Sequence, residues 1–169
     1  MKKIFAFVLA AAMVLSMVGC GEEEKEALKM GMGVHANITG SDADADTDGN
    51  AEVVATVAAV LVDKDGKIVK CEIDTLDATV AFTSEGKAVA ADGFKTKAEL
   101  GSDYGMVAYG GATKEWYEQA DAFEAACAGK TVAEITALEA DGYGVEDVQK
   151  AGCTIGISDL VAAATKAAK

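Results

Sequence analysis

The chain has no arginine, no proline, one histidine and one tryptophan, and aromatic residues make up 6% of its 169 positions. Without arginine, no bidentate guanidinium can grip a phosphate or a carboxylate, and lysine is the main source of positive charge. With His35 as the one imidazole, no site built on paired histidines can form. Without proline, tight turns fall to glycine and to Asp or Asn. The 15 lysines face 28 acidic residues, a net charge of −13. A surface this acidic repels a phosphate backbone, so no nucleic-acid partner is expected. The 51% apolar content argues against a disordered chain. However, alanine takes 34 positions, so large core anchors are few.

What is present begins with an address. Lys2 and Lys3 precede an apolar run from Ile4 to Val18 that ends in Gly19 and Cys20. This is the charged start, short apolar stretch and small residue of a signal peptide, and the acids at 22–24 follow too closely for a spanning helix. Met17-Val18-Gly19-Cys20 resembles the lipobox of bacterial lipoproteins, in which the chain is cut before a cysteine that then carries acyl chains. The resemblance implies lipidation at Cys20 and an extracytoplasmic protein anchored to the cell membrane by lipid. The expected layout is a signal over 1–19, a lipidated tether over 20–33 and one domain over 34–169. Cleavage removes Lys2 and Lys3, leaving 13 lysines against 28 acids, or −15.

Periodicity outlines the domain. Val34–Ile38 reads as a short strand, and 40–50 as an acidic loop. Val53–Val62 and Lys67–Thr75 form a hairpin about the turn Asp63-Lys64-Asp65-Gly66. Thr79–Phe82 and Lys87–Ala90 suggest a second hairpin. Thr96-Lys97-Ala98-Glu99 is a capping box for a short helix that Gly101 ends, and Gly105–Gly111 reads as a flexible connection. Trp116, Ala120, Phe123 and Cys127 make one apolar stripe on a helix over 114–128, stopped by Gly129. Thr131-Val132-Ala133-Glu134 opens another helix with Ile135 and Leu138 inward, 145–151 adds a further helical turn, and Ser158 is expected to cap the last helix, 159–168. Strands first and helices afterwards predict an α+β domain, a small antiparallel sheet covered by helices.

Few constellations suggest chemistry. Asp44, Asp46 and Asp48 with Gly49 match the opening of a calcium loop, but the twelfth position is Ala55, where a bidentate carboxylate should stand. His35 has no nucleophile motif beside it and reads as structural or solvent-facing, and the lack of a recognisable nucleophile and base argues against a hydrolase. Cys71, Cys127 and Cys153 read as buried apolar residues, with a Cys127–Cys153 bridge as the alternative. Trp116 is either a core anchor or a stacking surface.

Residues 53–75, VVATVAAVLVDKDGKIVKCEIDT, resemble the opening hairpin of the FMN-binding domain family. The stretches KTKAELGSDYGM, KEWYEQADAFEAACAGKTVAEI and AGCTIGISDLVAAATKAA follow that family's order of helices and its Gly-x-Thr turn. The resemblance implies an FMN-binding-domain-like fold and FMN as cofactor, with Thr154 as the counterpart of the threonine that carries FMN in flavinylated members. Around it, Gly152, Cys153 and Ser158 would shape the phosphate site, and Trp116 or Tyr109 would cover the ring. A membrane redox partner follows from the same resemblance. Val148, Ala151, Cys153, Gly156 and Ile157 depart from the family's motif. The alternative is a non-enzymatic surface lipoprotein that uses the same scaffold to bind a small ligand, a cation or a protein.

Overall fold

The computed structural model describes residues 27–89 and 94–169. The signal, Cys20 and the tether up to residue 26 lie outside the described residues. Three antiparallel strands form the sheet in the order β1-β2-β3: β1 (Lys29–Ser41), β2 (Gly49–Val62) and β3 (Ile68–Phe82). The helices α1 (Lys97–Leu100), α2 (Trp116–Cys127), α3 (Val132–Thr136), α4 (Glu146–Ala151) and α5 (Ser158–Ala167) follow, with a two-stranded ribbon of β4 (Glu139–Ala140) and β5 (Tyr143–Gly144) between α3 and α4. The architecture is α+β, a small antiparallel sheet with helices, as the order of periodicities predicts.

The β2–β3 turn forms as the Asp-Gly chemistry requires. The Asp63 carboxylate accepts from the amides of Asp65 (2.9 Å) and Lys67 (2.8 Å), and Gly66 supplies the left-handed residue at φ +76°. The strands run longer than their apolar runs. β1 already begins at Lys29, so residues 29–33 of the expected tether lie in the sheet. Its inner positions Gly31 and Gly33 carry no hydrophobic signal because α5 lies against their backbone: a Cβ on Gly31 would stand 1.9 Å from the Ala167 carbonyl oxygen, and one on Gly33 2.3 Å from that of Ala163. The second hairpin shrinks to one bridge between Phe82 and Ala88, and Ala90 lies outside the described residues.

Beneath the sheet, α5 covers β1 and β2 while α2 covers β3, around a core of Val60, Ile68, Phe123, Ile135, Val148, Ile157 and Leu160. The stripe Trp116, Ala120, Phe123 and Cys127 is buried as its spacing predicts. Capping boxes open α1 and α3: Glu99 accepts from the Thr96 amide at 2.9 Å, and Glu134 from the Thr131 amide at 2.8 Å. Cys71, Cys127 and Cys153 are free thiols in the core, so the Cys127–Cys153 bridge is not formed.

Candidate functional site

Strand register assembles the floor of a cleft. His35, Thr56 and Thr75 lie side by side across β1, β2 and β3. Thr56 and Thr75 are buried and satisfy one another through a hydroxyl pair at 2.9 Å, so a polar row crosses an otherwise apolar face at no loss of hydrogen bonding. Trp116, the first residue of α2, and Lys97, the first of α1, stand on one side. Gly156, Ser158 and Asp159 stand on the other, around a cavity of about 230 Å³. Lys97 is well covered. Its Nζ lies 5.0 Å from the Tyr104 ring centre, 5.9 Å from that of Trp116 and 3.7 Å from Asp77 Oδ2, so the aromatic faces and one carboxylate hold an ammonium at the cleft. Asp74 Oδ1 accepts from the amides of Thr75 (2.7 Å) and Ala98 (3.1 Å), which ties the start of α1 to β3 and so positions Lys97.

The turn into α5 is anchored from below. Gly152 closes α4 at φ +109°, a left-handed backbone that favours glycine, with the movable end of the Lys114 side chain lying against it. Cys153 is buried and its thiol is held above its usual range, mainly by burial. Thr154 is exposed, and both its amide (2.9 Å) and its hydroxyl (3.0 Å) donate to Oε1 of the buried Gln119, whose Nε2 donates to the Lys114 carbonyl at 3.1 Å. One glutamine side chain thus fastens the turn to α2. Ser158 is not the cap of α5. The N-cap is Ile157, which has no side-chain acceptor, and the Ser158 hydroxyl donates to Glu139 Oε1 at 2.7 Å. The first amides of α5 are left without a side-chain cap beside the cleft.

The structure distributes the expected site residues unevenly. Trp116 and Ser158 line the cleft. Gly152, Cys153 and Thr154 lie in the turn that feeds it without lining it. Tyr109 stands apart, 91% exposed, its ring over Gly105. The 105–111 segment is a fastened turn, because the buried Glu115 carboxylate accepts from the amides of Met106 (2.9 Å) and Val107 (3.2 Å). The acidic loop folds onto itself. Asp44 Oδ1 accepts from the amides of Asp46 (2.9 Å) and Thr47 (2.8 Å), which lowers its pKa, and among the described residues no three metal-ligating side chains converge. That arrangement does not support calcium at Asp44, Asp46 and Asp48.

Four participants were missed from sequence: Lys97, the threonine pair, Gln119, and the partner of His35. His35 Nε2 lies 3.4 Å from Asp159 Oδ1, which also accepts from Asn37 Nδ2 at 3.0 Å, while Lys166 Nζ reaches His35 Nδ1 at 3.4 Å and donates to the Val34 carbonyl at 2.8 Å. This polar seam joins β1 to α5 at the mouth of the cleft. The alternation of Thr56 and Thr75 within their strands carried a signal that register alone could turn into a pair.

No family model and no solved structure matches the chain. It is similar to a chlorophenol reductase of Desulfitobacterium hafniense, 41% identical over 95 residues, a match that covers 48% of this chain and 29% of the length of that relative.

Proposed function

We propose that this chain has a redox role: a flavin-binding electron carrier anchored outside the cell membrane through lipid on Cys20, serving a redox partner at that membrane. The observation that carries the reading is one cleft that gathers an ammonium, Lys97, an aromatic wall, Trp116, and the uncapped start of α5, with Thr154 on the turn leading into it. The similarity of about half the chain to part of a reductase supports it.

The residues present fit the group chemically. A bound phosphate would meet the amides of the first turn of α5 and Lys97, which is how an anion is held where no arginine exists. Trp116 would offer its edge to a planar ring. A cavity of about 230 Å³ is smaller than the roughly 300–1,000 Å³ of enclosed ligand pockets, so an FMN-sized ligand would leave part of its surface in the open, as suits electron exchange with a partner. When bound, the flavin supplies the electron chemistry, and the chain supplies position and charge.

The test is the full chain co-expressed with a flavin transferase, followed by intact mass and visible absorbance. An FMN-sized mass increment that Thr154→Ala abolishes is the expected result. No increment and no yellow colour after added FMN would overturn the reading. A second reading, a surface lipoprotein that binds a protein partner, is favoured by the solvent-facing side of the sheet, where Met30, Met32, Val34 and Ile38 are 82%, 73%, 52% and 75% exposed.

A further inference from the structure

We propose that Cys71 and Cys127 are a redox couple that closes to a disulfide across the β3–α2 interface, with Glu124 as the group that takes up the proton. The proposal is independent of whether the cleft binds flavin.

Hydrogen bonds on both sides bring the two cysteines together. At one end the Gly129 amide donates to the Ile68 carbonyl (2.8 Å) and the Ile68 amide to that of Lys130 (2.9 Å); at the other the Ile73 amide donates to Glu124 Oε1 (2.6 Å). Cys71 lies between Ile68 and Ile73 on β3, and Cys127 between Glu124 and Gly129 at the end of α2, so the two ties bracket both sulfurs. Both side chains belong to one core cluster, 5% and 0% exposed. The neighbouring Cys71 thiol, with burial, holds the Cys127 thiol above its usual range. Cys153 has a separate partner, the Ile155 amide.

Glu124 sits one helical turn before Cys127, on the same side of α2. Its carboxyl is pushed up to about 7, chiefly by burial and further by the charges of Glu72 and Asp121, against the Ile73 amide and Lys70. Lys130 is the other charged group beside the pair. Near neutrality the carboxyl therefore exists in both forms and can accept a thiol proton.

Access sets the order of events. Cys71 retains a small exposed surface and Cys127 none, so Cys71 gives its proton to the Glu124 carboxylate and its thiolate attacks a disulfide oxidant, RSSR. A Cys71–S–S–R bond forms and RS⁻ leaves. Cys127 then loses its proton and attacks the Cys71 sulfur, expelling the second RS⁻. The two protons end on the two leaving thiolates: two protein thiols are oxidised to one disulfide, and one RSSR is reduced to two RSH.

The experiment treats the full folded chain with oxidised glutathione, alkylates the remaining thiols in denaturant and maps the peptides by mass. The expected product is a peptide pair joined through Cys71 and Cys127, with Cys153 alkylated, and Cys153→Ala closing equally well. Recovery of Cys71 and Cys127 both alkylated, as stable glutathione adducts, or joined to Cys153 would overturn the pairing. Glu124→Gln should reach the same product about tenfold more slowly or worse, with the inflection near pH 7 gone; an unchanged rate profile would remove Glu124 from the mechanism.

Discussion

The two faces of the β1–β2–β3 sheet are made of opposite materials. On β1 the positions turned toward α5 are Gly31, Gly33 and His35, with the exposed Asn37 reaching Asp159 beyond them, while the large apolar Met30, Met32, Val34 and Ile38 face outward. On β2 the covered positions are Thr56, Ala58, Val60 and Val62, and the opposite side carries Val57, Ala59 and Leu61. Burial on β1 thus runs against side-chain size. The cause is distance: α5 approaches the strand so closely that backbone packs on backbone, which leaves room for hydrogen and little else. The hydrophobic bulk of this strand is available to something outside the domain, and the small residues hold the domain together.

The largest expected break in this contrast is Gly33→Val, which drives a Cβ to within 2.3 Å of the Ala163 carbonyl oxygen and 2.5 Å of the Ala167 amide nitrogen. A loss of about 3 kcal/mol or more in denaturant unfolding is expected. Thr56→Val comes next. It leaves the Thr75 hydroxyl buried without its partner and should cost about 1–3 kcal/mol, while the double valine variant recovers most of the loss. Glu124 sits at the rim of the covered face, and its pKa in the fold is above the unfolded value of 4.5, at about 7. The folded state therefore holds the extra proton. Stability from this group is complete below pH ~4.5 and falls as pH rises toward ~7, with slope set by the proton difference. Glu124→Gln should flatten that fall and stabilise the protein at pH 8 by on the order of 1–2 kcal/mol, after discounting for the water that reaches the group. The smallest effect is on the other face: Met30→Ser with Met32→Ser should change stability by within about 0.5 kcal/mol and reduce self-association at high concentration.

Local chemistry was legible in the sequence wherever partners lie within a few residues. The Asp63–Gly66 turn, the boxes at Thr96 and Thr131 and the 116–127 stripe all formed, because i to i+4 spacing contains the whole interaction. Ser158 had the right type for a cap, yet its hydroxyl donates to Glu139 and leaves the cap position to Ile157, a competition that only the tertiary fold creates. His35 read as structural or solvent-facing because Asp159 lies more than a hundred residues away. The first residues of β1 were hidden for the reason that makes them useful: a Gly-x-Gly parity carries no hydrophobic alternation to detect. For the candidate site, Trp116 and Ser158 both line the cleft, whereas the places of Lys97 and the Thr56–Thr75 pair depend on register and on the docking of α1.

The seam between β1 and α5 also fixes when folding can finish. Lys166 donates to the Val34 carbonyl across 132 residues, and Asn37 donates to Asp159 across 122. The first strand therefore acquires its cover only once the last helix is available, and the entropy of closing nearly the whole chain must be met before that contact contributes. Until then, a strand with a glycine-lined inner side and a methionine-lined outer side stands exposed along both faces. A nascent chain that stops short of residue 158 would carry that strand unpaired with its helix, which marks the final ten-residue helix as the step that commits the domain to its native form.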